Sequence, residues 1–152
     1  MATSFLGQLL TGTHNFGASP TRAGATADSF KAALFLASGT RNAASTTYSV
    51  TDEVSGAGYT AGGIAVTNAS APSATNSSAT AGVGYWTPSA SLVYTTVTLA
   101  TAFDAVMIYN STQGDKTVSV HTFGSQTVTA GTFTLTMPTN DTASALLRLA
   151  TT

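Results

Sequence analysis

Phe103-Asp104-Ala105-Val106-Met107-Ile108-Tyr109 is apolar on both faces through Ala105, Val106, Met107 and Ile108. A strand with this pattern is covered on each side, as a strand at the centre of a sandwich is. Directly after it, Asn110-Ser111-Thr112-Gln113-Gly114-Asp115 supplies turn residues, and Thr117 to Phe123 reads as the returning partner. Further on, Phe133-Thr134-Leu135-Thr136-Met137 alternates cleanly, with an apolar face inward and a threonine face outward, until Pro138 ends the run. Upstream, Leu92 to Ala100 is rich in β-branched residues and predicts a further strand. Ala143 to Leu149 fits either a last strand or a short helix.

The first half is less regular. Phe5, Leu6, Leu9 and Leu10 recur at helical spacing and predict a short opening helix over Ser4 to Leu10, with Thr3 or Ser4 as its cap. Thr11 to Gly17 breaks it. Ser29 to Ala37 carries the apolar run of a buried strand, and Thr40 to Thr47 is polar and loop-like. Tyr48 to Val54 and Tyr59 to Thr67 predict a strand pair around a glycine turn. Asn68 to Thr80 is almost entirely Ser, Ala, Thr, Asn and Pro, a loop, arm or weak edge strand. Pro88 argues against a central strand after Val83, Tyr85 and Trp86, because proline donates no ladder hydrogen bond. The expected architecture is all-β, a β-sandwich or jelly-roll-like fold with a short N-terminal helix. One domain is expected over residues 1–152, with the Ser/Ala/Thr-rich arm at 68–80.

Charged residues make up only 7% of the 152 positions, against about 25% in an ordinary soluble domain. Acid-base chemistry, metal binding and phosphate handling draw on Asp, Glu, His, Lys and Arg, and the pool is five basic residues, six acidic ones and two histidines. No enzyme activity, cofactor or metal is expected from that pool. A net charge of −1 gives no basic stripe for nucleic acid and no hold on an anionic membrane. The absence of cysteine excludes disulfides and thiolate metal sites. The opening Met1-Ala2-Thr3-Ser4-Phe5-Leu6-Gly7-Gln8-Leu9-Leu10 lacks the basic and long apolar regions of a secretory signal, so the chain is expected to be made and used soluble.

Individual candidates point the same way. His14 and His121 lie far apart, with no carboxylate at metal-ligand spacing to either, and are expected in structural or surface roles. Gly56, Gly58, Gly62 and Gly63 do not complete a dinucleotide-binding pattern, because Ala61 stands where a third glycine is needed. Their expected use is backbone: positive φ and close strand approach. Asp52 and Glu53 are adjacent, so on a strand they face opposite sides, and a salt bridge or solvated edge is expected rather than a catalytic pair. Asn68, Asn76, Asn110 and Asn140 begin glycosylation sequons, which a Thr/Ser-rich composition generates by itself.

Thr13-His14-Asn15-Phe16, Asp28-Ser29-Phe30-Lys31, and Thr51-Asp52-Glu53-Val54-Ser55-Gly56-Ala57-Gly58-Tyr59-Thr60-Ala61-Gly62-Gly63 occur in this order. They are followed by Ala105 to Asn110, Gly131-Thr132-Phe133-Thr134, Met137-Pro138-Thr139 and Ala145 to Ala150. This series resembles a family of small tailed-bacteriophage virion structural proteins. It covers nearly the whole chain, and Glu53 to Gly63 is its most specific piece; the middle, Asn68 to Ser91, departs from it. The resemblance implies a capsid decoration or cement role on the virion surface, with the major capsid protein as partner, and it supplies no catalytic residue. A protein locking onto a preassembled shell needs area and a few aromatic anchors. Tyr59, Tyr85 and Trp86 are the candidate interface residues, while Tyr94 and Tyr109 fit core packing. A homo-dimer or homo-trimer is expected. Two other functions fit the composition: a tail or fibre component, and a carbohydrate-binding β-sandwich in which exposed Trp86 and Tyr85 stack on sugar.

Overall fold

A computed structural model describes residues 1–17, 26–68, 72–75 and 82–151. In chain order the elements are α1 (Thr3–Leu10), β1 (Phe30–Leu36), β2 (Ile64–Ala65), β3 (Ser73–Thr75), β4 (Val83–Trp86), β5 (Leu92–Asn110), β6 (Lys116–Leu135) and β7 (Leu147–Ala150). The strands form two antiparallel sheets, ordered β2-β1-β5-β6 and β3-β4-β7. The fold is all-β with one short helix, as the sequence predicts.

The four strands expected between Leu92 and Met137 are two. β5 runs for 19 residues with neither Gly nor Pro to interrupt it, and β6 pairs along it for 20, through Gly124 and Gly131. The long ladder bends through bulges that compensate one another. Tyr94 pairs Phe133 and Ala105 pairs Thr122, so the register regained after the bulges is the one left before them. Thr96 and Ala130 absorb the distortion with φ of 53° and 47°.

β1 is buried on both faces for the reason read from Phe103 to Tyr109. Phe30, Ala32 and Leu34 join the main core with Val106 and Ile108 of β5, while Ala33 and Phe35 join a second cluster with Ala105, Met107 and Tyr109. The main core also takes Phe5 of α1, Phe16, Trp86 of β4 and Leu147 of β7, so side chains from both sheets and the helix share it. The second face is covered by the segment after β1. The Arg41 guanidinium sits 4.5 Å from the Phe35 ring centroid, and Tyr48 stacks on Tyr109 with centroids 4.5 Å apart.

Where β1 ends, the glycine segment takes over the edge of β5. Thr98 N–H donates to Ala57 O at 2.8 Å, and a Cβ on Gly56 would lie 1.9 Å from Thr98 O. Covering an exposed strand edge this closely requires glycine. Gly63 is bound by two constraints at once, a φ of 71° and a Cβ position 1.8 Å from Ala32 O. Gly56→Ala is expected to lower stability by roughly 2–4 kcal/mol, read as a reduced urea midpoint; an unchanged midpoint would show that the Ala57–Thr98 bridge is dispensable.

Several expectations are corrected. The cap of α1 is Ala2, not Thr3 or Ser4; Ala2 makes no side-chain cap bond, is fully buried, and donates its N–H to Val118 O at 2.9 Å. Tertiary anchoring replaces the local cap. Tyr48 to Val54 is not a strand: Glu53 N–H donates to Val50 O at 3.1 Å and Asp52 has φ 60°, so the chain turns there and only Glu53 bridges to Phe35. The predicted strand pair is therefore absent, and β2 pairs with β1 instead. β4 is the central strand of the smaller sheet, and it escapes the proline argument by ending at Trp86, two residues before Pro88. Of Ala143 to Leu149, the part from Leu147 belongs to the strand β7, Leu147–Ala150, and the residues before it turn into it. Within the proposed 68–80 arm, Ser73–Thr75 forms the exposed edge strand β3. The rest of that arm, apart from Asn68 and Pro72, lies outside the described residues, as does the Asn76 sequon.

Candidate functional site

Polar residues from the first part of the resemblance and from the end of β5 converge on two buried carboxylates, Glu53 and Asp28. Glu53 is 8% exposed. The turn at Val50 to Glu53 directs its side chain under the 37–63 segment, where Tyr48 Oη donates to Oε2 at 2.6 Å and Tyr59 Oη donates to Oε1 at 2.7 Å. Gly62 N–H adds a third donor to Oε1 at 2.8 Å. The network continues outward: Leu34 N–H donates to Tyr59 Oη at 3.0 Å, and Tyr109 Oη donates to Gly62 O at 2.8 Å. Burial first, and then the hydrogen bond to Glu53, push the Tyr48 and Tyr59 phenols above their ordinary value. Tyr109 is pushed up to about 12 by burial, with Asp115 and Glu53 adding to it. All three phenols therefore remain protonated donors at neutral pH, Tyr48 and Tyr59 to the Glu53 carboxylate and Tyr109 to Gly62 O. The expected salt bridge or solvated edge at Glu53 is corrected accordingly.

The second carboxylate is Asp28, 7% exposed. Its Oδ2 accepts from Asn110 Nδ2 at 2.7 Å and from Asn15 N–H at 2.8 Å, and its Oδ1 accepts from Gln113 Nε2 at 2.9 Å. Asn110, fully buried at the end of β5, has its other groups spoken for: Oδ1 accepts from Thr112 and Gln113 N–H, each at 3.1 Å. Its second Nδ2 hydrogen faces His14 Nδ1 at 3.0 Å. His14 Nε2 then donates to Gln8 Oε1 at 2.7 Å, and the ring packs on Phe5 with centroids 4.8 Å apart. This arrangement calls for the neutral Nε2–H tautomer. Burial accordingly lowers the His14 pKa, Asp28 opposing and Lys116 reinforcing the shift.

These polar groups do structural chemistry. Each cluster pins loops onto the sheet: the Glu53 donors gather the 48–62 segment, which Leu34 N–H and Tyr109 Oη tie to β1 and β5, and the Asp28 donors join residues 8–15, 28 and 110–113. Satisfied in this way, a buried carboxylate stabilises and orders its surroundings; half-satisfied, it would be costly.

The candidate interface residues are placed as follows. Tyr59 is half-buried, bonded to Glu53 and stacked 6.0 Å from Tyr94, so it serves the scaffold. Trp86 is 2% exposed, packs 4.8 Å from Phe16 and donates Nε1–H to Asn68 Oδ1 at 3.0 Å. Trp86 as a surface anchor or sugar-stacking platform is thus corrected: it is a core residue. Tyr85 is half-buried beside Met1, Pro72 and Leu149, around an apolar cleft of about 80 Å³. Tyr94 and Tyr109 are buried, each 2% exposed. Gly58, Gly62 and Gly63 adopt positive φ, and Gly56 permits close approach, which are the uses expected of them.

His121 lies on β6 against Ser119, 3.0 Å from its Oγ, and burial, reinforced by the positive chain terminus, lowers its pKa to about 4. The two histidines are held in separate environments. Among the described residues no three His, Asp or Glu side chains are grouped to hold a metal ion, and no helix is long and apolar enough to cross a membrane. Comparison with protein-family models, with curated proteins and with solved structures finds no match.

Proposed function

We propose that this chain is a bacteriophage virion structural protein, a capsid decoration or cement protein that binds the outside of the major capsid shell and self-associates as a dimer or trimer. The observation that supports this reading is the fate of the motif residues. His14, Asn15, Asp28, Glu53, Tyr59, Gly62, Tyr109 and Asn110, scattered over the sequence pattern that resembles such proteins, all enter the two carboxylate clusters. A pattern whose polar members are committed to holding loops on a sheet belongs to a scaffold. The outer surface is then left to neutral Thr, Ser and Ala, which suits contacts made by shape and area.

The carbohydrate-binding reading loses its support with Trp86 in the core. Mixing the purified protein with undecorated capsids should give saturable binding at a fixed ratio, and imaging should place it on the shell. Absence of binding, or density confined to the tail or portal, would overturn the proposal, the latter in favour of a tail component. With 7% charged residues, attachment should change little between about 0.1 M and 1 M salt, although the screening length falls from about 10 Å to 3 Å. Release by moderate salt would contradict a neutral interface.

A further inference from the structure

Past its bulged middle, the outer strand of the larger sheet lacks the usual protections of an edge. β6 is 20 residues long and lies at the end of the order β2-β1-β5-β6. Natural edges are kept short, studded with Lys or Pro, or covered by another segment, because a row of free N–H and C=O groups invites a further strand. From Thr117 to Asn140 there is no Asp, Glu, Lys or Arg, and the first proline is Pro138. Among the described residues, only the start of the strand is covered: Ala2 N–H donates to Val118 O at 2.9 Å, and Thr117 N–H to Thr46 O at 3.0 Å. Beyond Val118, no other described segment hydrogen-bonds to the outer side of the β6 backbone.

The bulges toward β5 end at Gly131, and Phe133 to Leu135 run in unbroken register with Leu92 to Tyr94. Phe133 and Leu135 turn toward the core, while Thr132 and Thr134 are exposed. Past the bulge at Ala130, this stretch is extended and uncharged, and no described segment pairs along its edge.

We propose that the free edge of β6, from Gly131 to Leu135, pairs antiparallel with the same edge of a second copy, joining two four-stranded sheets across a two-fold axis at Phe133. The occupant follows from the chemistry of the edge. An antiparallel self-pair sets a segment against itself, so any charge would meet its like; here there is none, and Thr132 of each copy meets Thr134 of the other, a favourable cross-strand combination. An edge without charge has nothing with which to select a charged foreign strand, whereas its backbone and hydroxyl groups are complementary to themselves. The two-fold relation makes the contact isologous and closed, so it stops at two copies. This inference rests on the self-association part of the proposed function and names its surface.

Sedimentation equilibrium of the wild-type chain, of the double variant Thr132→Lys/Thr134→Lys, and of a control with an exposed lysine elsewhere, Thr40→Lys, tests it. Hydrogen exchange across residues 131–135 is followed over a range of protein concentrations. The wild type and the control should be dimers whose 131–135 amides exchange more slowly as concentration rises. The double variant should keep the wild-type circular dichroism and dissociate with a constant at least about tenfold higher. A wild-type monomer, a trimer, or a dimer whose 131–135 amides ignore concentration overturns the pairing. Should the double variant misfold, the wild-type exchange data decide alone. Capsid binding is scored separately: a wild-type monomer that decorates capsids refutes the edge pairing and leaves the decoration reading intact, and a β6-paired dimer that ignores capsids does the reverse.

Discussion

Glu53→Ala is expected to destabilise the protein by about 3–5 kcal/mol, a large share of the roughly 5–15 kcal/mol that holds a domain of this size together. The loss comes less from the missing carboxylate than from what it leaves behind. Tyr48 Oη, Tyr59 Oη and Gly62 N–H all donate to Glu53, and each becomes a buried or half-buried donor facing a methyl group, at about 1–3 kcal/mol apiece before relaxation. Glu53→Gln, which keeps one acceptor oxygen, should cost less. The neighbouring Asp52 is exposed and has φ 60°, a conformation that asparagine tolerates, so Asp52→Asn should stay within about 0.5 kcal/mol. Urea unfolding of the three variants checks the order. A Glu53→Ala midpoint close to that of Asp52→Asn would mean that the cluster does not hold the 48–62 segment.

Acid should weaken the fold between neutral pH and about pH 4. His121 has its folded pKa lowered to about 4 from the ordinary imidazole value of 6.5, so below pH 6.5 the unfolded chain takes up a proton that the folded chain refuses. Stability then falls as pH drops through this window and levels off below the folded value, with an integrated loss of roughly 2–3 kcal/mol. His14 shifts in the same direction and adds to the loss, because a proton on Nδ1 would set one N–H against the Nδ2–H of Asn110. Urea midpoints measured at pH 7 and pH 4.5 should differ accordingly, and His121→Gln should flatten the dependence. Equal wild-type midpoints at both pH values would show that neither imidazole is held neutral.

The part of this architecture legible in the sequence is the part set by local pattern. The alternation at Phe133 to Met137, the doubly apolar stretch before Tyr109 and the helical spacing of Phe5 to Leu10 each reflect a period that burial enforces. Tyr48 to Val54 misleads because Tyr48 and Val54 serve different clusters, one on each face of β1, and a turn between them carries Glu53 inward. The two carboxylate clusters join residues as distant as Asp28 and Asn110, and no local pattern records a contact of that range. One signal was present: in a chain with only six acidic residues, an acid flanked by aromatics and glycines has no crowd of surface charges to belong to. Trp86 was misplaced because its neighbours on both sides are polar or irregular, and its burial depends on Phe16 and Leu147 from opposite ends of the chain.

The smaller sheet has a temporal consequence. β5 and β6 meet across a short turn and can zip as soon as both have been synthesised. β4, by contrast, pairs through Val83 to Trp86 with Leu147 to Ala150, so one of its two neighbours follows the whole β5–β6 hairpin in the chain. During synthesis the Trp86 face waits, half-covered, until β7 has emerged. A copy cut short before Leu147 would carry an open β4 edge and an unsealed core into the cell, where chaperones and proteases act on such surfaces. The position of β7 thus makes closure of the smaller sheet a check that the hairpin before it has been made.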